Sequence, residues 1–132
     1  MGLIYKKLRV IGRKGEATLT ALLDTGSSHS LLREDVARDI GDPEELPEPK
    51  AYELAVGSFT ARHGLFADVV IRGKRLMCGF KVVPRLSEEM ILGVDFLQIW
   101  NVRLEPKTHR MILDPKALRL KAVGMRVPRR SR

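Results

Sequence analysis

Asp24-Thr25-Gly26-Ser27-Ser28 follows directly on an apolar run that includes Leu19, Ala21, Leu22 and Leu23. A strand ending in Asp-Thr-Gly sets a carboxylate on a tight turn, and the glycine lets backbone fold closely behind it. The motif occurs once in 132 residues. If Asp24 is catalytic through a paired carboxylate, half of the active site lies outside this chain.

The elements around the motif read as a small β domain. Leu3 to Val10 alternates as a strand, Gly12-Arg13-Lys14-Gly15 turns, and Glu16 to Leu23 returns, a hairpin that delivers Asp24. Ser30-Leu31-Leu32 continues apolar. Arg33 to Ile40 has helical spacing, with Val36, Ala37 and Ile40 on one side, and stops at Gly41-Asp42-Pro43. Glu44 to Lys50, acidic and broken by prolines, reads as a surface loop. Tyr52, Leu54 and Val56 alternate, Gly57-Ser58 turns, and Phe59 and Ala61 follow. Leu65 to Ile71 reads as a further strand, Gly73-Lys74 as a tight turn and Leu76 to Val83 as the strand after it. Met90 to Gly93 is a short apolar strand, Asp95 to Trp100 a brief helix, and the segments around Val102-Arg103-Leu104 and Met111-Ile112-Leu113 a last hairpin. The expected fold class is mainly β, a closed or sandwich-like domain with one or two short helices.

Charge divides the chain. Residues 107–132 hold nine Lys/Arg against Asp114 alone, whereas residues 1–106 are balanced, so the net +8 sits at the C-terminal end. Two expected parts follow, a folded domain over 1–114 and a basic tail over 115–132. The tail reads as a solvated terminus or as a weak contact for an anionic partner. No stretch approaches the ~18 apolar residues of a membrane span, and the first residues lack the apolar run of a signal peptide. The single cysteine, Cys78, excludes an internal disulfide and suits a reducing, cytoplasmic setting, with Cys78 itself read as core. His29, His63 and His109 have no Cys or carboxylate at ligand spacing, so neither metal nor cofactor is expected. Trp100 reads as core or interface, Asp95 as the cap or start of its helix, and His29 equally as cleft or surface.

The segment from Ala21 to Leu32 resembles the active-site segment of retropepsin-like (single-lobe, retroviral-type) aspartic proteases. Ile91-Leu92-Gly93-Val94-Asp95-Phe96-Leu97 resembles their second signature, and Asp24 and Ile91 are 67 residues apart. Between them, Tyr52 to Ile71 is similar to the family's flap hairpin, with Ala55-Val56-Gly57-Ser58 at its tip. The similarity covers residues 4–114. It implies the small closed barrel-like retropepsin fold, peptide-bond hydrolysis without a cofactor, and a homodimer in which two Asp24 carboxylates meet on the two-fold axis over a polypeptide substrate. It further implies that Thr25 locks the two loops together, that Gly26 offers its N–H to the carboxylate, and that Ser27 bonds the outer oxygen or the substrate. Val56, Gly57 and Ser58 would close over the peptide. Some relatives pair an acidic residue after the turn with an Arg after the second-signature glycine. This chain has Ser28 and Val94 there, which leaves a peptide-binding or dimerisation module of the same fold as the alternative. A third reading is a nucleic-acid-associated protein acting through its tail, which the seven Phe, Trp and Tyr residues do little to support.

Overall fold

The computed structural model describes residues 3–54 and 57–114. Its elements run β1 (Ile4–Ile11), β2 (Glu16–Leu23), β3 (Leu31–Arg33), α1 (Glu34–Ile40), β4 (Glu44–Leu54), β5 (Gly57–Ile71), β6 (Lys74–Val83), β7 (Met90–Leu92), α2 (Val94–Ile99), β8 (Val102–Glu105) and β9 (Arg110–Leu113). The expected tail over 115–132 and the flap residue Val56 lie outside the described residues. Among the described residues no helix is long and apolar enough to cross a membrane.

Six strands close into a barrel in the order β1-β2-β7-β3-β6-β5, and β5 returns to β1 through Arg9↔Val70, Val10↔Val69 and Ile11↔Asp68. β4 hangs on the outer edge of β5, and β8 and β9 form a separate two-stranded sheet. The β1–β2 hairpin keeps unbroken register from Ile4↔Leu23 to Ile11↔Glu16, as its alternation predicts. The β5–β6 turn is tight because Arg72 (φ 52°) and Gly73 (φ 78°) both take left-handed backbone, the geometry that matches strand twist in a two-residue hairpin.

Two expectations are corrected. Glu44 to Lys50 is strand, not loop: Glu44 pairs with Gly64 and Glu45 with His63, and pairing resumes at Lys50↔Ala61 past an irregularity. Pro47 and Pro49 fall inside that irregularity, on an edge strand, where a missing N–H breaks no interior ladder. Residues 57–71 form one 15-residue strand rather than two. Polar Arg62-His63-Gly64 does not interrupt it because His63 is paired on both sides, with Glu45 and with Val82.

The topology that matters for the site is the insertion of β7 between β2 and β3. β7 runs parallel to β2 (Leu22↔Ile91, Leu23↔Leu92) and antiparallel to β3 (Leu31↔Ile91). β2 and β7 therefore end side by side, and the chain from Asp24 to Ser30 must cross the end of β7 to reach β3. Alternation then gives these strands two apolar faces. Ala21, Leu23, Leu32, Met90 and Leu92 face the barrel core, which Phe96 and Leu97 of α2 and Trp100 just after it close. Leu22, Leu31 and Ile91 belong to a second cluster with Ala61, Val83 and Leu86. Trp100 is core, its indole Nε1 donating to the Met77 carbonyl at 2.9 Å.

Candidate active site

The loop that crosses β7 is fixed by backbone and buried hydroxyls. Asp24 N–H donates to the Leu92 carbonyl (3.0 Å), Ser27 N–H to the Asp24 carbonyl (3.1 Å) and Val94 N–H to the Ser27 carbonyl (2.7 Å). The crossing is so close that a Cβ on Gly93 would lie 2.5 Å from the carbonyl oxygens of both Ser27 and His29. Only glycine permits that approach. The two sequence signatures, distant along the chain, are thus one structural unit.

Within it, Asp24 is half-buried and its Oδ1 accepts the Gly26 N–H at 2.8 Å. That bond orients one carboxyl oxygen and leaves the group open on the outward side. Thr25 and Ser28 are exposed. Ser27 is buried, and its hydroxyl donates to the His29 carbonyl at 2.6 Å. In this chain Ser27 therefore braces its own loop instead of meeting the Asp24 carboxylate.

Ser30 is a second brace. Completely buried, it donates through Oγ to Asp95 Oδ1 (2.8 Å), accepts the Gly93 N–H (3.0 Å), and its own N–H reaches Asp95 Oδ2 (3.2 Å). Asp95 opens α2: the N-cap position is Gly93, and Asp95 Oδ1 accepts the first-turn Phe96 N–H at 2.7 Å. The same carboxylate also ties α2 back to the active-site loop. Sequence reading passed over Ser30. Its signal was a hydroxyl set directly before two apolar strand residues, facing an acid inside the apolar run from Met90 to Leu97.

Beside Asp24 lies an apolar floor. Leu22, Ile91 and Leu31 form a row across β2, β7 and β3, at 1%, 0% and 0% exposure. Tyr5, opposite Leu22, extends the row to the rim, where its hydroxyl donates to Glu88 Oε2 at 3.2 Å. The row is covered by the β4–β5 hairpin, whose Tyr52, Leu54 and Phe59 pack against this cluster. The hairpin ends at the pair Leu54↔Gly57, with Ser58 opposite Glu53, and Gly57 takes φ +140°, a conformation reserved for glycine. Second-signature residues thus divide: Ile91 faces the floor, Leu92 the barrel core, and Gly93 the loop crossing. His29 is exposed, its ring edge-on to Tyr52 with centroids 5.1 Å apart. Burial, and after it the Asp95 charge, pushes the Tyr52 phenol above its ordinary pKa.

On the other side of Asp24 a groove of about 530 Å³ opens at Thr25, lined also by Val94, Leu97, Leu104 and Ile112. Among the described residues no three His, Cys, Asp or Glu side chains converge as a metal site would require. What the site offers chemically is one oriented carboxylate at the end of an apolar, hairpin-covered floor.

Comparison with known proteins agrees with this geometry. The retroviral protease-like domain of Ddi1 from Leishmania major superposes with a TM-score of 0.63 at 16% identity, covering 87% of this chain and 90% of that one. The EIAV protease in complex with an inhibitor superposes with a TM-score of 0.59 at 17% identity, over 79% of this chain and 93% of that one. These likenesses establish the retropepsin fold. No curated protein matches the chain by sequence. A family model of gag-polyprotein putative aspartyl proteases matches residues 12–99, from the β1–β2 turn through the second signature. With that match spanning both signatures and the hairpin between them, the chain belongs to the gag-polyprotein putative aspartyl protease family.

Proposed function

We propose that this protein is an aspartic endopeptidase whose active site forms on homodimerisation, with Asp24 contributed by each subunit. The observation that carries the reading is the Asp24 carboxylate, oriented by the Gly26 amide on a loop locked against Gly93. Two such carboxylates, brought together, hold one proton between them, because close like charges do not both ionise. The ionised one takes a proton from a bound water as its oxygen attacks the scissile carbonyl carbon. The protonated one gives its proton to the carbonyl oxygen. As the diol collapses, the carboxylate that is now ionised takes a hydroxyl proton back, the other gives its proton to the departing amine, and the pair again holds a single proton. No step calls for a cofactor. Activity is highest at acidic to near-neutral pH, where the pair holds a single proton.

The second subunit is required because each chain supplies one motif, and a two-fold axis brings the same patch of both subunits together. The groove at Thr25, adjacent to the motif, fits that contact. The polypeptide substrate lies extended along the apolar floor, which takes apolar side chains beside the scissile bond, and pairs strand-like with the hairpin. A reducing, cytoplasmic setting belongs to the same proposal, supported by a lone buried, unbridged Cys78.

Ser28 and Val94 favour a second reading, a peptide-binding or dimerisation module of the same fold, since they withhold the ion pair that supports the dimer in some relatives. A peptide-library cleavage screen from pH 3 to 8, with sedimentation velocity on the same samples, separates the two. The parent cleaves and sediments as a dimer. Asp24→Asn sediments identically and loses cleavage by at least about 10⁴-fold, because both proton-transfer roles depend on the pair. Equal cleavage by Asp24→Asn would sink the mechanism. A folded parent that does not cleave would select the second reading, a dimer pointing to the dimerisation module and a monomer to the peptide-binding one.

A further inference from the structure

The β4–β5 hairpin projects from the barrel. Among the described residues β5 pairs with β6 from His63 onward and with β1 only over Asp68 to Val70. From Gly57 to Ala61 its ladder partner is β4, which is itself an edge strand. The hydrogen-bonded ladder therefore does not hold residues 50–54 and 57–61 against the Asp24 loop. Side chains do, and Leu22, Leu31 and Ile91 are fully covered. The hairpin's own Tyr52, Leu54 and Phe59 occupy the floor a peptide would need.

Among the described residues the edge-on pair of His29 and Tyr52 joins the hairpin to the active-site loop. Both sides of it are prepared. Ser28 Oγ lies 3.0 Å from His29 Nδ1 and orients the ring, and Ser27 Oγ holds the His29 carbonyl. Tyr52 is fixed on β4 opposite Phe59. An exposed histidine anchored at ring and backbone, set against an aromatic ring of a projecting hairpin, is placed to hold that hairpin down. Edge-to-face aromatic geometry favours that contact beyond the apolar area it covers.

We propose that His29 is a positioning residue that latches the hairpin of its own subunit over the apolar floor, so that a peptide enters by parting the His29–Tyr52 pair. The latch itself follows from contacts within one subunit; its link to peptide entry rests on the peptidase reading. Losing it shifts the hairpin toward an open state without touching the Asp24 turn.

Two measurements on the full chain test this. The first is amide hydrogen exchange. His29→Ala speeds exchange over residues 50–54 and 57–61 by about 3- to 10-fold, the size expected when one aromatic pair is lost, and Tyr52→Ala, which also uncovers part of the floor, speeds it at least as much. The double variant is no faster than Tyr52→Ala, since both remove the same contact. Tyr52→Phe and His29→Phe, which keep two rings, stay near the parent. Exchange unchanged in His29→Ala overturns the latch, as does acceleration spread over the barrel strands, which would mean a loosened fold. The second is stopped-flow association of a fluorescent apolar peptide with the Asp24→Asn protein. Adding His29→Ala speeds association 3- to 10-fold; unchanged or slower association overturns the role in entry. Failure of every variant to bind peptide counts against the peptidase reading, and the exchange result then decides the latch by itself.

Discussion

The strands β2, β7 and β3 carry two apolar rows that differ by one residue. Leu23, Leu92 and Leu32 face the barrel; Leu22, Ile91 and Leu31 face the floor. Both rows are almost completely buried. What separates them is the cover. Strands joined in a closed ladder, with α2, seal the barrel row. The floor row packs with Val83 and Leu86 and with the side chains of a projecting hairpin. Burial alone therefore does not distinguish residues sealed by the closed ladder from residues covered by a detachable element. The distinction lies in whether the covering element can leave without breaking backbone pairing.

Gly93 stands where the two rows meet, and changing it has the largest expected effect. In Gly93→Ala the new methyl carbon would sit 2.5 Å from two backbone oxygens of the loop. Backbone cannot yield as a side-chain tip can, so the loop shifts and Asp24 loses its register with β7. Peptide cleavage falls by more than about 100-fold, since small displacements of a catalytic group are costly. Stability drops by about 1–3 kcal/mol, as for other overpacked sites. A Gly93→Ala protein with parental cleavage and parental melting temperature would show that the crossing is looser than its geometry.

The next effect compares the rows themselves. Leu92→Ala empties space inside the closed barrel, where neighbours cannot follow, and costs about 3–5 kcal/mol in chemical denaturation. Ile91→Ala empties space beneath the hairpin. The hairpin can settle into the gap, so the cost falls to about 2 kcal/mol, the low end for such truncations. Ile91→Ala also changes the preferred side chain in the peptide-cleavage screen, and Leu92→Ala does not. Equal losses of stability would mean that the hairpin is as fixed as the barrel wall.

How much of this was legible in sequence follows from the range of the interactions. The β1–β2 hairpin and α1 are local patterns, periods of 2 and 3.6, and the alternation and spacing of their residues read correctly. Asp24-Thr25-Gly26 and Ile91-Leu92-Gly93 are legible as a tight turn and a close crossing, because residue identity at such places admits few substitutes. β4 was misread because proline and acidic residues signal a loop locally, while an edge strand tolerates both. The Ser30–Asp95 brace was missed because its partners are 65 residues apart and neither is unusual alone. Likewise nothing in the residue types told whether His29 belonged to cleft or surface. It is exposed and still in contact with the hairpin, because the topology brings Tyr52 of β4 beside it.

The smallest effect concerns Cys78, and it tests whether the barrel row is sealed. Met77 and Cys78 are neighbours on β6 that point to opposite sides; Met77 is 48% exposed and Cys78 is 4%. Burial pushes the Cys78 thiol up to about 12, reinforced by the Asp95 charge and opposed by the Ser30 hydrogen bond and Lys81. The thiolate is the reactive form, so a thiol held neutral and enclosed does not react. At pH 8 the folded protein labels with a thiol-specific disulfide reagent at least about 100-fold more slowly than the same protein in denaturant. The linkage has a definite sign. The folded pKa lies above the ordinary value of 9.0, so this group's contribution is complete below pH 9 and is lost as pH rises toward about 12. In that window stability falls by up to about 1.4 kcal/mol per pH unit, and Cys78→Ala, an apolar replacement, removes that component of the decline. Labelling that speeds up in His29→Ala as well as in denaturant would show that opening the hairpin also opens the barrel, and the two rows would then be one cooperative unit. Labelling that stays slow in His29→Ala would keep them separate, with the floor free to open over a closed core.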